Sequence, residues 1–530
     1  MKPVPLAQIL LLAVIPAGLF LSSIFLHAIA GSYYLSGTFD PEYVYLLNSL
    51  NLLNIQPPSH TDHPGTTLQI FGAIVILGKW LLSCAVGPCV SLDDSVLSNP
   101  EAYLVTINAI LNLFVAGTLV WGGLRVLRFS NMVLPAITLQ LTMFSFLQIE
   151  LALTRVSPEL LLVLSVLVLI LILIPEVFSQ PLHSPGSGMA RNAILTGMVL
   201  GFGMATKVTF FPLLGVVFLL KGRSIRLLAV CSCLAAFFVF TLPILASYPG
   251  MAVWFGSILV HQGQYGSSMY GFPEFDTVMD NLAILYSGEP FLFISLGFYL
   301  LAFFGIKRLL SQDNAEAQIK ILNLLWIGCL IIAVQIAITA KHPGLHYMLP
   351  AMVFTGLLNA ALVFLHKTDH RYALTHAVLI IGVLAVGLSL NGVHLAAWAK
   401  DAAAHHLETR GLLHEAKKKD GCLQVGYYRS PRIEYALAFG NSLSGNRYGD
   451  ALQRMYPNAM FYNIWSKEFH SFVTGIQDRV LVDQINEGRC IVLLGSSFTG
   501  PYAIYKSKLV LTPLLATSNW TLYRLVGLRS

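Results

Sequence analysis

Apolar runs near bilayer length recur over the first three quarters of the chain, each closed by a short polar turn. A helix of about 20 apolar residues matches the hydrocarbon thickness of a membrane. The pattern therefore predicts spans over Leu6 to Ala30, 102–124, 131–151, 159–175, 227–247, 291–306, 321–340, 347–365 and 373–396, with a pair of shorter helices at 193–205 and 208–220. Together these make eleven spans. From about residue 397 the pattern turns to mixed polar and charged. There Leu423–Tyr427, Cys490–Leu494 and Trp520–Val526 have strand character, and Ile433–Phe439 and Val480–Glu487 look helical. The expected architecture is an α-helical polytopic membrane protein over 1–396 followed by a small α/β domain over 397–530.

Composition agrees. Hydrophobic residues make up 56% of the chain and charged ones 11%, against roughly 25% charged in soluble domains. Mean hydropathy is +0.70. The first apolar run ends in Ala28-Ile29-Ala30, which resembles a cleavage site, but it is longer than a signal-peptide core and is expected to remain as a helix. The net charge of +6 comes from basic residues scattered over short loops. They act as topology determinants in contact with membrane lipids, and no nucleic-acid partner is expected. With Lys2 on the cytoplasmic side, the cytoplasmic turns carry Arg125/Arg128, Arg191, Lys221/Arg223/Arg226, Lys307/Arg308/Lys320 and Lys367/Arg371. The opposite short loops hold only Lys79, Arg155, Lys207 and Lys341. This count requires the apolar stretch Leu68 to Ala85 to lie at the outer interface, where Lys79 and Trp80 suit the boundary.

Cys84 and Cys89 share an outer loop, while Cys422 and Cys490 fall in the C-terminal domain. Either pair can form a disulfide in an oxidising compartment or remain as free thiols. Cys231, Cys233 and Cys329 lie in spans as packing residues. Gly495-Ser496-Ser497 after a strand reads as a turn, with a phosphate cradle as the alternative.

The few acidic residues cluster at the expected outer face. Phe39-Asp40-Pro41-Glu42-Tyr43 and Ser59-His60-Thr61-Asp62-His63-Pro64-Gly65 follow the first helix, and Thr154-Arg155-Val156-Ser157-Pro158-Glu159 forms another outer turn. A carboxylate at a membrane boundary is costly unless solvated or paired, which makes these groups functional candidates. Capping of helices beside the adjacent prolines is the alternative for Asp40 and Glu159.

Asp40-Pro41-Glu42-Tyr43 followed by Asp62-His63-Pro64 resembles the first outer loop of the protein O-mannosyltransferase and lipid A aminoarabinose transferase superfamily, a GT-C group. Arg155 to Glu159 is similar to that superfamily's second outer loop, Gly203-Met204-Ala205-Thr206-Lys207 to its Gly-rich segment, and His346-Tyr347-Met348-Leu349-Pro350 to its late His/Arg-Tyr-x-x-Pro turn. The resemblance spans residues 1–396. Two departures stand out: Pro41 separates acids often adjacent in relatives, and Glu replaces Asp at 159. The C-terminal domain matches no member.

What the resemblance implies is a membrane glycosyltransferase that moves a hexosyl or pentosyl group from a polyprenyl-phosphate donor to a lipid, glycan or protein hydroxyl. The count of basic loops, independently of the resemblance, expects the C-terminal domain on the same outer side as the catalytic face, periplasmic or lumenal in a eukaryote. Asp40 would be the base and Glu159 a second acid orienting acceptor or base. Lys207, Arg155, Lys341 and His346 would hold the departing phosphate, and Glu42, Asp62, His63, His261, Tyr265 and Tyr347 would line the substrate site. No cofactor is required; a divalent metal on His60, Asp62 and His63 is the open alternative.

Other readings compete at individual positions. Lys207 between two short apolar helices can snorkel to the interface, and Gly197, Gly201 and Gly203 have helix-packing spacing. The outer loop from Tyr248 to Pro290, with Trp254, His261, Gln262, Gln264, Tyr265, Tyr270 and Phe272, suits sugar or lipid headgroups, or an interfacial belt. A transporter or flippase of lipid-linked sugar, or a non-catalytic assembly subunit, would share much of this pattern.

Overall fold

The structure is a computed structural model in which residues 5–35, 39–178, 188–262, 269–271, 273–308, 315–368, 375–419, 421–427, 429–463, 468–476, 478–496 and 509–528 are described. Among them, nine helices are long and apolar enough to cross a membrane: Leu6–Ala30, Thr66–Val86, Pro100–Ser130, Pro158–Phe178, Arg223–Val260, Pro290–Arg308, Glu316–Lys341, Leu345–Leu365 and Val378–Lys417. The chain is a multi-pass integral membrane protein with a C-terminal α/β sheet domain.

Several elements differ from the expected spans. The run 131–151 is not one straight helix: Val133–Ser145 and Leu147–Leu153 meet at 81°. Phe146 between them is extended, with φ −133° and ψ 120°. The run 208–220 forms a 3-10 helix, Val208–Leu219, with Pro212 inside it; proline lacks the N–H that an α-helical ladder needs. Tyr248 to Pro290 is largely helical, with Tyr248–Val260 and Phe275–Gly288. Thr66–Val86 is as long and apolar as the spans, so its assignment to the interface rests on the count of basic loops. The last helix does not stop at 396 but runs from Thr375 to Lys417.

The chain divides into two compact units. One comprises Met1–Ile24, Thr61–Leu68 and Asn108–Leu395, the other Phe25–His60, Gln69–Ile107 and Ala396–Ser530.

In the first unit the Leu345–Leu365 segment is buried, whereas the Leu6–Ala30 helix is largely exposed along its length. Helices join closely where side chains vanish. A Cβ on Gly197 would fall 2.2 Å from the Ala229 carbonyl oxygen, and one on Gly201 2.2 Å from that of Cys233. Only glycine lets the Met189–Thr206 and Arg223–Thr241 helices approach so nearly. Amides provide the second kind of joint: Gln140 donates to the carbonyls of Leu12 and Leu119 at 2.9 and 3.1 Å.

In the second unit, seven strands form one mixed sheet. They are β1 (Leu423–Gly426), β2 (Met460–Asn463), β3 (Glu468–His470), β4 (Gly475–Ile476), β5 (Ile491–Ser496), β6 (Leu509–Ala516) and β7 (Trp520–Leu528), in the order β4-β3-β2-β1-β5-β7-β6. β1 runs parallel to β2 and β5, and the remaining pairs are antiparallel. β5 is buried throughout, as a central strand covered on both faces must be. Ile491 and Leu493 join a core with Val425, Tyr427 and Phe469, while Val492 and Leu494 join Leu412, Ala416 and Trp520. The end of the Thr375–Lys417 helix therefore covers one sheet face, and Trp520 Nε1 donates to Thr409 Oγ1 at 2.6 Å. Disulfides join Cys84 to Cys89 and Cys422 to Cys490. Gly495 lies within β5 rather than in a turn, and a Cβ there would fall 2.3 Å from the Tyr427 ring. Ser497 lies outside the described residues.

Candidate active site

Three stretches distant in sequence meet in the first unit. Pro158 opens the Pro158–Phe178 helix and puts Glu159 in its first turn, where unpaired N–H groups favour an acid. Lys207 ends the Met189–Thr206 helix in an extended conformation, φ −161° and ψ 136°. Just after this turn Phe210 packs back over Gly203, its ring 2.4 Å from where an added Cβ would lie. His346 and Tyr347 come from the 3-10 turn Leu345–Met348.

Lys207 Nζ donates to Glu159 Oε1 at 2.5 Å, and the two side chains are 5% and 11% exposed. His346 Nε2 stands 4.0 Å from the same oxygen with its side chain 45% exposed. Lys207 Nζ also lies 4.8 Å from the centre of the Tyr347 ring, at cation–π distance. The ammonium is enclosed by a carboxylate and a ring, and in this geometry it does not snorkel. His346 is the open edge of the cluster.

Neighbouring hydrogen bonds fix these stretches. Gln335, fully buried, donates to the carbonyls of Thr209 and Tyr347 at 3.1 and 2.8 Å, tying the chain after Lys207 to the turn that carries His346. Thr206 and Thr67 share a hydroxyl hydrogen bond of 2.7 Å. The Arg155 turn is held through its backbone: Asn108 donates to the carbonyls of Leu153 and Arg155, both at 3.0 Å, and Asn112 to that of Leu153 at 2.8 Å.

Other expected residues stand elsewhere in this unit. Lys341 Nζ donates to the Leu259 carbonyl at 2.6 Å. The His63 ring packs edge-on to Trp254 at 5.5 Å, and Asp62 is exposed. His261 bridges to Tyr270, with ring centres 4.7 Å apart. Gln264, Tyr265 and Phe272 lie outside the described residues. Among the described residues no three His, Cys, Asp or Glu side chains gather as a metal site, so His60, Asp62 and His63 are not brought into one ligand set.

Asp40 and Glu42 belong to the second unit, in the first turns of the Phe39–Leu53 helix. The Asp40 side chain lies outside the described residues; Glu42 is fully buried. Glu101 clamps the approach to this helix, accepting from the Tyr33 backbone N–H at 2.9 Å and the Tyr43 hydroxyl at 2.7 Å. Burial, then the Glu101 charge, pushes the Tyr43 hydroxyl well above its usual range, so it remains a proton donor. Asn48 is the hub of the following loop. Its Oδ1 accepts from the Ser59 N–H at 2.7 Å, and its Nδ2 donates to the Leu443 carbonyl at 3.1 Å. Asn51 reaches the Ser444 carbonyl at 3.1 Å and accepts from the Tyr448 hydroxyl at 2.8 Å. The helix carrying the acidic motif is thus docked on the Ile433–Ser442 helix of the C-terminal domain, where Gly440 leaves room for the Tyr43 backbone.

Sequence reasoning passed over Glu101, Asn48, Gln335, Asn108 and Asn112. For the last two a signal exists. Two asparagines four apart in an apolar run share one helix face, and buried amides need partners.

No family model matches the chain, and no curated protein matches it. Two solved structures of ArnT from Cupriavidus metallidurans are similar to it at 10% identity. The one bound to undecaprenyl phosphate has a TM-score of 0.43 and covers 92% of this chain and 97% of its own; the apo state has 0.45, with 91% and 93%. At these values the likeness decides neither family nor activity.

Proposed function

We propose that the chain is a membrane glycosyltransferase of the GT-C type, moving a sugar from a polyprenyl-phosphate donor to an acceptor hydroxyl on the non-cytoplasmic face. The observation that carries this reading is the convergence of Glu159, Lys207, His346 and Tyr347. They come from three motifs that the sequence resemblance names separately. A structural ion pair alone would not require the third motif beside it.

In the proposed reaction the acceptor O–H gives its proton to the Asp40 carboxylate as its oxygen bonds to the anomeric carbon. The bond from that carbon to the phosphate oxygen breaks in the same step. Polyprenyl phosphate leaves with the electron pair, and the anomeric centre inverts. Glu159 balances and orients Lys207, while Lys207, His346 and Arg155 supply positive charge for the leaving phosphate. The two disulfides support an oxidising, outer location for the segments that carry them.

Incubating the purified protein with a panel of polyprenyl-phosphate sugars and measuring released polyprenyl phosphate tests the activity. Release with one donor is expected, and no release across the panel with a folded protein would refute it. Protease added to spheroplasts tests the orientation: residues 397–530 should be removed, and full protection would invert the topology.

A further inference from the structure

The bend at Phe146 gathers buried oxygen atoms that the proposed reaction does not use. Asn391, 5% exposed, donates through Nδ2 to the Phe144 carbonyl at 2.8 Å and to Glu150 Oε1 at 3.2 Å. Its own Oδ1, the second carboxylate oxygen Glu150 Oε2 and the Ser145 hydroxyl are all buried without a hydrogen-bond partner among the described residues. Covalent geometry places all three on residues that meet at this one break. Asn391 Oδ1 shares a carbon with Nδ2, Glu150 Oε2 shares one with Oε1, and Ser145 is bonded to the Phe144 carbonyl carbon. Glu150 and Ser145 are each 2% exposed. No described Lys, Arg or His forms an ion pair with Glu150.

An ionised carboxylate buried without a counter-charge is expensive, and the two further unpaired oxygens, Asn391 Oδ1 and the Ser145 hydroxyl, would add to the cost. Carboxylate, amide and hydroxyl oxygens are ligands for hard cations, and broken membrane helices hold such ions with freed backbone carbonyls. One charge remains to be balanced. Glu289, also buried, accepts from the Gln148 N–H at 2.9 Å and is occupied as a cap on the Leu147–Leu153 helix.

We infer that the helix break at Ser145–Glu150 is a binding site for one monovalent alkali cation, held by Glu150, Ser145 and Asn391. Bound there, the ion would fix the Leu147–Leu153 helix, which leads directly into the Arg155–Glu159 turn. The inference stands apart from the glycosyltransferase reading, because its test needs no sugar substrate.

The test is equilibrium binding of radioactive sodium to the purified full chain, with N-methylglucamine keeping ionic strength constant, beside thermal unfolding in the two cations. Saturable binding of one ion per chain and a higher unfolding temperature in sodium are expected. Glu150→Gln should abolish both effects. Ser145→Ala, a change small enough to fold, should weaken binding about tenfold by removing one ligand, without moving unfolding in N-methylglucamine. Absence of saturable binding to the wild type would overturn the proposal and make Glu150 a neutral acid solvated by water. Binding unchanged in Glu150→Gln, or in Ser145→Ala should the former not fold, would overturn this location.

Discussion

Two carboxylates, the buried Glu159 in one compact unit and the half-buried Glu101 in the other, are held in opposite ways. Glu159 in the first unit is matched by a cation, Lys207, with His346 at its open edge. Glu101 in the second is held by neutral donors, the Tyr33 N–H and the Tyr43 hydroxyl. A cation neutralises charge and can exchange partners when an anion arrives. Neutral donors fix a carboxylate in place and make it a clamp. The first arrangement suits binding of a phosphate; the second suits positioning the helix that carries Asp40.

The largest effect that would sharpen this contrast is on Asp40, the clamped helix's candidate base. Asp40→Asn should cut turnover about 10²–10⁴-fold with unfolding temperature unchanged. Retained turnover would make the acid a helix cap.

Breaking the ion pair comes next. Lys207→Ala leaves Glu159 buried and uncompensated and should cost about 3–5 kcal/mol of stability, together with donor use. Replacing both, Lys207→Met with Glu159→Gln, should recover most of the stability and none of the donor use. Recovery of both would make the pair purely structural. Lys207→Arg should keep part of the activity, since charge remains while its geometry changes.

At the clamp, Glu101→Gln should cost about 1–3 kcal/mol by leaving a buried donor unsatisfied. Hydrogen exchange over 39–60 should rise. If exchange there is unchanged, Glu101 does not hold the loop.

The smallest effect is a pH slope. Burial pushes the Glu289 carboxyl from 4.5 up to about 8, partly opposed by the Gln148 N–H. The folded state therefore holds this proton where the unfolded state has released it. The resulting stability is full below pH 4.5 and is lost as pH rises toward 8. Unfolding temperature should fall across that window in the wild type and fall less in Glu289→Gln. Parallel slopes would assign the pH dependence to other groups.

Much of the architecture was legible because its signals are local. Helix length and apolarity, the strands Leu423–Tyr427 and Trp520–Val526, and the motif residues Glu159, Lys207 and His346 can all be read from neighbours in sequence. The bend at Phe146 was not, since its apolar flanks read as one uninterrupted run. The short strands β2, β3 and β4 were missed because two to four residues carry too little periodicity to register. Continuation of the last helix to Lys417 was hidden as well. Its exposed polar face resembles a change of domain, while Leu412 and Ala416 bury against the sheet.

The sequence alone determined that the chain is a multi-pass membrane protein ending in an α/β domain, because transfer of apolar helices to lipid depends on composition and length. It also marked the acids and cations with chemical potential, since charge near a membrane must have a reason. Only the tertiary structure decided which of them meet. It paired Glu159 with Lys207 across 48 positions of sequence, gave Lys341 to the Leu259 carbonyl, and docked the Asp40 helix on residues 440–448. These outcomes depend on which distant partner each small residue or buried amide meets; spacing along the chain can mark such residues but does not name the partner.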